Sequence, residues 1–574
     1  MKPSTLPSAQ PFLLQRRFQV AVWLLIAALP VAYIAVVVAR ASRNIIFWDE
    51  FDTALALILR IDAGAGWREV VKLFFAIDNE HRMVTSRLLY ATSYWLTGSI
   101  NFHVIGAIGN LFLVGTCATL ILAVTGWERR IRMGIVLAFL MFQLEHFESF
   151  IWSGSSIDHF QVVMLAVLAM AALVRGTKAT AGVAVGMGVL ATFTLAQGTV
   201  VWPLGALLLA HRRRWRELAA WSSCGVVTVA AFLYKFEFNP GDPISEISPH
   251  SITQITHYWL NLLGAPLTLG SSTLAAWPGL ALLALLGFLG ARGMATRQPV
   301  ALFSAVFAVG ALALVALGRA ALVGGMVNSR YLVLGALAWA LVLFMLLELA
   351  VEANPARPFR ALAWLLPVLA GFNVAANLKF FPSAESFNEV RDRVATSFQQ
   401  FGADGKDVTR LRMHPVEKHA DVLMKKAEER GVYHLPEFSL PADFPDATRS
   451  THLITYVDEL FASARAVTIG GWAMLPGRLS RRGQVYVVLQ SEKSRLIFSS
   501  TTLQRTDVAA AYKEPRWRYS GFRAVINRTR LPAENFDVGV LIVDEGKAEF
   551  VMTANRLELG TPEGRAEHAV LAAQ

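Results

Sequence analysis

Three carboxylates, Asp49, Glu50 and Asp52, stand within four residues in Phe47-Trp48-Asp49-Glu50-Phe51-Asp52, soon after a long apolar run. Carboxylates placed this closely can accept a proton from an incoming hydroxyl or offer oxygens to a hard cation. A second polar knot follows at Asp78-Asn79-Glu80-His81-Arg82, with Arg87 just beyond it. A third contains Glu145-His146-Phe147-Glu148, Trp152 and Asp158-His159. The fourth is a Gly-rich, otherwise apolar loop running from Gly318-Arg319-Ala320 to Asn328-Ser329-Arg330-Tyr331. A planar guanidinium with five donors suits a phosphate. Proton acceptors and anion-binding cations together suit a reaction on a phosphate-bearing substrate.

Each group also has a structural reading. Acidic residues just outside an apolar run are common at a membrane interface. Glu145, His146 and Glu148 can cap a helix or hold a loop. Arg319 and Arg330 can form ion pairs with Asp or Glu of the earlier loop, since interfacial arginines usually have a partner. The sequence leaves these alternatives open.

The elements that position these residues follow from composition. The 574 residues are 55% hydrophobic and only 17% charged, with a mean hydropathy of +0.45. Soluble domains average about 25% charged residues, so a soluble multi-domain enzyme, a disordered chain and a fibrous repeat are excluded. The first run, Phe18 to Ala39, is preceded by Arg16 and Arg17 and is long enough to cross about 30 Å of hydrocarbon. It reads as an uncleaved span, because signal-peptide cores are usually about 7–15 residues. Further runs lie at 103–125, 133–148, 158–174, 179–197, 199–210, 217–235, 272–291, 298–317, 330–350 and 360–376. The expected fold is a mainly α polytopic membrane protein of about 11 spans.

The net charge of +11 would suggest nucleic acid in a soluble protein. Here it belongs to compact clusters at 127–132, 175–178, 211–216, 292–297 and 352–360, all on one side of an eleven-span path. Retained cationic loops put that side, and the N-terminus, in the cytoplasm. The loop 40–102, and with it Asp49, then faces outward, and the C-terminal part lies outside. His81 to Gly98 reads as an amphipathic helix at the outer surface. Cys117 and Cys224 both lie in apolar runs and offer no disulfide framework or metal spacing. That lack suits a bacterial inner membrane.

After Phe380 the composition changes. Residues 378–450 read as a charged, helix-prone connector, and 451–574 as a β-rich outer domain. Strand-sized runs at 467–469, 484–489, 495–498, 522–526 and 538–543 suggest a small antiparallel sandwich. Its Trp472, Tyr486, Trp517 and Tyr519 suit either its core or stacking on sugar rings, the core being favoured. No Walker motif, nucleotide-binding glycine loop or GxSxG elbow occurs.

Over residues 18–376 the chain resembles the GT-C type integral-membrane glycosyltransferases, the superfamily that includes protein O-mannosyltransferases and aminoarabinose transferases. The resemblance rests on Trp48-Asp49-Glu50 after the first span, the long first outer loop 40–102, and Arg319 with Ser329-Arg330-Tyr331. It implies a GT-C-like catalytic domain over 1–377 and inverting transfer from a polyprenyl-phosphate-linked sugar donor to a glycan or lipid acceptor. On that resemblance Asp49 is the general base, and Glu50 or Asp52 orients base or acceptor. Arg319, Arg330, Tyr331, His81 and Arg82 hold the donor phosphate. Glu80, Glu145 and His146 position the acceptor or the loop. Some members of that superfamily need a divalent cation such as Mg or Mn, for which Asp49, Glu50, Asp52 and Glu80 would be the oxygen ligands. The competing class is a transporter or flippase of lipid-linked glycans; a third is a membrane-anchored assembly factor.

Overall fold

The computed structural model describes residues 10–78, 80–236, 249–320, 327–355, 358–401, 417–435, 448–463, 466–477, 484–528, 531–544 and 547–559. It is mainly helical and ends in a two-sheet β region. By internal contacts the chain divides into two units. One comprises Met1–Asn44, Asp49–Glu385 and Arg430–Tyr433; the other comprises Ile45–Trp48, Ser386–Glu429 and His434–Gln574. The stretch 378–450, read from sequence as one connector, is therefore shared between them.

In the helical unit every apolar run falls on a helix, but not all are of spanning length. Among the described residues seven are long and apolar enough to cross a bilayer, and the count rises to eight if one bent pair is a single span. The seven are Phe18–Ala41, Phe102–Ala123, Ser153–Arg175, Thr273–Ala291, Pro299–Arg319, Ser329–Ala353 and Arg360–Asn388. Several long apolar helices of this kind are compatible with an integral, multi-pass membrane protein. The expected sixth span is the 11-residue helix Val201–His211, which reaches roughly 16 Å at 1.5 Å per residue. Lys178–Thr194 has 17 residues.

The run at 133–148 is broken. Trp127–Met141 stops and Leu144–Ile151 resumes at a bend of 47°. A break in an apolar helix frees backbone groups that need partners, and two asparagines from Arg360–Phe401 supply them. Asn373 Nδ2 donates to the carbonyls of Phe139 and Phe142 at 2.8 and 3.0 Å. Asn377 Oδ1 accepts from the Leu144 amide at 2.9 Å. Asn110 Nδ2 donates to the Phe150 carbonyl at 3.0 Å.

Three of the helices carry charged or polar residues at both ends. Ser153–Arg175 runs from Asp158 and His159 to Arg175, and Ser329–Ala353 runs from Arg330 to Glu348 and Glu352. Pro299–Arg319 starts beside Arg297 and ends on Arg319. The separations along each helix are about 25–33 Å, close to the thickness of bilayer hydrocarbon. At the end that holds Arg175, Arg297 and Glu348 the basic loops lock together. Glu348 pairs with Arg129 at 2.9 Å and Arg132 at 2.7 Å, and Arg297 pairs with Glu352 at 2.5 Å. Arg212 and Arg214 donate to the carbonyls of Val174 and Leu173 at 2.8 and 2.5 Å. The candidate site lies at the other end.

In the second unit the strands are β1 (Thr448–Arg449), β2 (Ile454–Ala462), β3 (Ala466–Met474), β4 (Gln484–Gln490), β5 (Arg495–Ser499), β6 (Thr501–Leu503), β7 (Gly521–Asn527), β8 (Asn535–Asp544) and β9 (Lys547–Glu558). They form two sheets ordered β1-β9-β8-β4-β5 and β2-β3-β7-β6. Pairing is antiparallel except for the short β1–β9 contact. Alternation drives the packing, because period-2 apolar residues put one face of each strand inward. Val467, Ile469, Phe522, Ala524 and Ile526 of one sheet meet Val487, Leu489, Val538 and Val540 of the other. Tyr486 and Trp517 are buried. Residues 560–574, the end of the expected outer domain, lie outside the described residues.

Candidate functional site

Asp49 opens a turn that passes into a π-helix, Phe51–Ala56. The residue before it, Trp48, has φ 50°, a left-handed conformation that costs a bulky residue energy. The turn is fixed from within: Thr53 donates to the Asp49 carbonyl through its amide at 2.9 Å and its hydroxyl at 2.7 Å. Glu50 is only 1% exposed. Its Oε1 accepts from the Gly154 amide at 2.7 Å and from the Ser153 hydroxyl. Gly154 permits this approach, since a β-carbon there would stand 3.2 Å from Glu50 Cγ. Glu50 therefore anchors the Asp49 turn to the start of Ser153–Arg175. Asp52 belongs to the same π-helix, and its amide bonds back to the Asp49 carbonyl at 3.2 Å.

The next segment is stitched by arginines. Arg82 donates to the carbonyls of Phe75 at 2.5 Å, Phe232 at 2.8 Å and Tyr234. Arg87 donates to the carbonyls of Ala76 and Arg82, both at 2.6 Å, and of Phe74 at 3.2 Å. These are uses expected of a loop organiser. Asp78 and His81 bridge each other's backbones at 2.8 and 2.9 Å, and His81 Nδ1 accepts from the Ala196 amide at 3.2 Å. That bond fixes the tautomer with the proton on Nε2. Desolvation by the protein packed around it, then the positive charges of Arg319 and Arg330, push the His81 pKa down to about 3. At neutral pH His81 can donate a hydrogen bond but brings no charge.

Arg319 pairs with Glu80 at 2.8 Å. Of the two readings left open for Arg319, an ion pair to the first loop is the one the geometry contains. Arg330 is placed differently. Its guanidinium carbon lies 5.5 Å from the centre of the Trp152 ring and 5.3 Å from that of Tyr331. Aromatic faces hold a cation while leaving its in-plane donors for another group. The backbone amide of Arg330 bonds Glu148 Oε2 at 3.2 Å, and the Glu148 amide bonds Ser329 Oγ at 3.2 Å. Tyr331 meets the His159 ring edge-on at 5.4 Å.

These residues form one electrostatic neighbourhood. The charge of Asp49 acts on Arg330 and on Asp158. Asp158 also feels Glu50 and Asp78, and accepts from the Ser86 hydroxyl. Asp158 and His159 lie in a second π-helix, Ser156–Phe160, a distortion frequent at functional positions. Tyr258 was missed in the sequence because the amphipathic helix Pro249–Gly264 is not a spanning run. It is buried, its hydroxyl has no hydrogen-bond partner among the described residues, and Tyr331, Arg330 and Arg319 act on it.

Glu145 and His146 occupy the break in the bent helix instead. Glu145 accepts from Gln143 at 3.2 Å; His146 Nε2 bonds the Met141 carbonyl at 2.7 Å and its ring lies 5.0 Å from that of Phe150. The suggested cation ligands do not converge. Among the described residues no three His, Cys, Asp or Glu side chains are grouped so as to hold a metal ion, and Glu50 and Glu80 are engaged as above. Residues 321–326, between the two arginines, lie outside the described residues.

No family model matches the chain, and no curated protein or solved structure matches it either.

Proposed function

We propose that the chain is a membrane glycosyltransferase of GT-C type, with about 11 spans counting the shorter helices. It moves a sugar from a polyprenyl-phosphate donor to a glycan or lipid acceptor on the non-cytoplasmic face. The observation that carries this reading is that the charge of Asp49 reaches Arg330, 281 positions away in the chain. Distribution of charge along the helices supports the sidedness. Arginines gather at the end opposite the site, where retained cationic loops belong in the cytoplasm.

In this reading Asp49 takes the proton of the acceptor hydroxyl as its oxygen forms a bond to the anomeric carbon. The bond from that carbon to the donor phosphate oxygen breaks, and configuration inverts. General-base help is worth about 10²–10⁴-fold in rate. Arg330 stabilises the departing phosphate, whose charge rises in the transition state. His81 and the Tyr258 hydroxyl are neutral donors for the same group. Arg82, Arg319 and Glu80 hold the loops that frame it, and Glu50 fixes the base. No step in this scheme runs through a metal ion.

A flippase of lipid-linked glycans is the second reading. Polar groups along the whole bilayer depth would be its requirement, whereas the charged side chains here collect at the two helix ends. The two are separated in proteoliposomes loaded with undecaprenyl-phosphate linked to a radiolabelled hexose or pentose, with lipid and oligosaccharide acceptors. Labelled acceptor is the expected product. Movement of the donor between leaflets with no labelled acceptor would reject the transferase in favour of the flippase.

A further inference from the structure

We propose that the outer face of the β2-β3-β7-β6 sheet binds a neutral glycan, with Tyr456 and Trp472 as its stacking ledge. This does not rest on the transfer reaction above. Tyr456 and Trp472 are direct cross-strand partners, and Trp472 is opposite Gly521 on the next strand. Both aromatics lie on the face opposite the sandwich core, since their neighbours Val457, Ala473 and Phe522 point into it; Trp472 is half-buried against Val508 and Trp517, so its free edge adjoins the open face of Tyr456. Tyr456 is 60% exposed and Tyr512, whose ring is 5.5 Å from that of Trp472, is 49% exposed.

Two glycines let charged side chains lie flat beside this ledge. A β-carbon at Gly470 would come within 2.8 Å of Glu459 Oε2, and one at Gly521 within 2.8 Å of Arg505 Cγ. Glu459 thus passes over β3 to meet Arg523 on β7, where Nε and Nη2 each lie 2.7 Å from Oε2. Arg505 likewise passes over Gly521 to reach Asp458 at 2.5 Å, while also gripping Asp507 at 2.7–3.1 Å. The Arg505 contact holds the Asp507 carboxyl down to about 2.

This arrangement selects the occupant. Both arginines that lie across it, Arg505 and Arg523, already have a carboxylate partner, so an anionic polymer gains no free positive charge from them. The carboxylates are compensated in turn, so a cationic partner gains little. What remains are aromatic faces for the C–H side of a sugar ring and rigid planar donors and acceptors for its hydroxyls. An uncharged saccharide chain uses both. A protein partner would instead cover the apolar stripe Ile454, Tyr456 and Phe461 along β2, which Glu459 interrupts.

The test uses the full chain in detergent with neutral hexasaccharides of glucose, mannose, galactose, N-acetylglucosamine, xylose and arabinose. Saturation-transfer NMR identifies contact, and calorimetry gives affinity. At least one hexasaccharide is expected to bind, with Tyr456→Ala weakening it about tenfold or more, Tyr456→Phe retaining it, and all three proteins unfolding at the same temperature. Asp49→Asn is expected to bind the same saccharide as the wild type, which separates this site from the transfer site. Binding of none of the six, or equal binding by Tyr456→Ala, would overturn the proposal and leave the ledge to a protein partner.

Discussion

Glu80 accepts from Arg319 at 2.8 Å across 239 positions of chain, joining the segment after the first long helix to the last turn of Pro299–Arg319. Both side chains are largely shielded, at 14% and 25% exposure, so the pair escapes much of the screening that weakens surface ion pairs. Glu80→Gln and Arg319→Gln are each expected to lower stability by about 1–3 kcal/mol. The double variant is expected to cost less than the sum. Thermal unfolding of the four proteins in detergent measures the coupling, and strict additivity would mean the pair contributes nothing.

Glu348 at the opposite end holds two arginines, Arg129 and Arg132, while being 3% exposed. Glu348→Ala would leave the buried Arg132 without its carboxylate, and such losses cost about 3–5 kcal/mol. Arg129→Ala, which removes the more exposed partner, is expected to cost under about 1 kcal/mol. Comparison of their unfolding temperatures checks the ranking.

His81 predicts a pH dependence. Its folded pKa, about 3, lies below the unfolded value near 6.5. Between those values the unfolded chain binds a proton that the folded chain refuses, so stability falls as pH drops below about 6.5. One full proton would give about 1.4 kcal/mol per pH unit; partial solvent contact at His81 makes the slope shallower. His81→Asn retains an acceptor for the Ala196 amide and removes the titration. Its stability between pH 7 and pH 5 is expected to change less than that of the wild type. Parallel pH profiles would exclude His81 as the source.

How much of this could be read from sequence depends on the kind of signal. Asp49, Glu50, Arg319 and Arg330 were visible because charge beside apolar runs is costly and therefore conspicuous. Their division of labour was not. Nothing in the spacing distinguishes Glu50, held by Ser153 and Gly154, from Asp49. Arg319 and Arg330 look equivalent until Glu80 is placed against one and aromatic rings against the other. Hydropathy located the runs but not the break at Phe142–Gln143, because asparagines more than 230 residues away make it affordable. Tyr258 carried no signal at all, its helix being only amphipathic. In the β region, strand-sized apolar runs located β3, β4, β5, β7 and β8, whereas β2 and β9, which mix charged and polar residues into the strand, were not singled out.

The central claim is that Asp49 and Arg330 serve one reaction in separable roles. It is tested most directly by measuring donor binding and sugar transfer together in reconstituted wild type, Asp49→Asn and Arg330→Ala, using undecaprenyl-phosphate sugar. Asp49→Asn is expected to bind donor normally and lose transfer by at least about 10²-fold, while Arg330→Ala loses donor affinity by about tenfold or more. Transfer at the wild-type rate by Asp49→Asn, with the protein folded and inserted, would contradict the account.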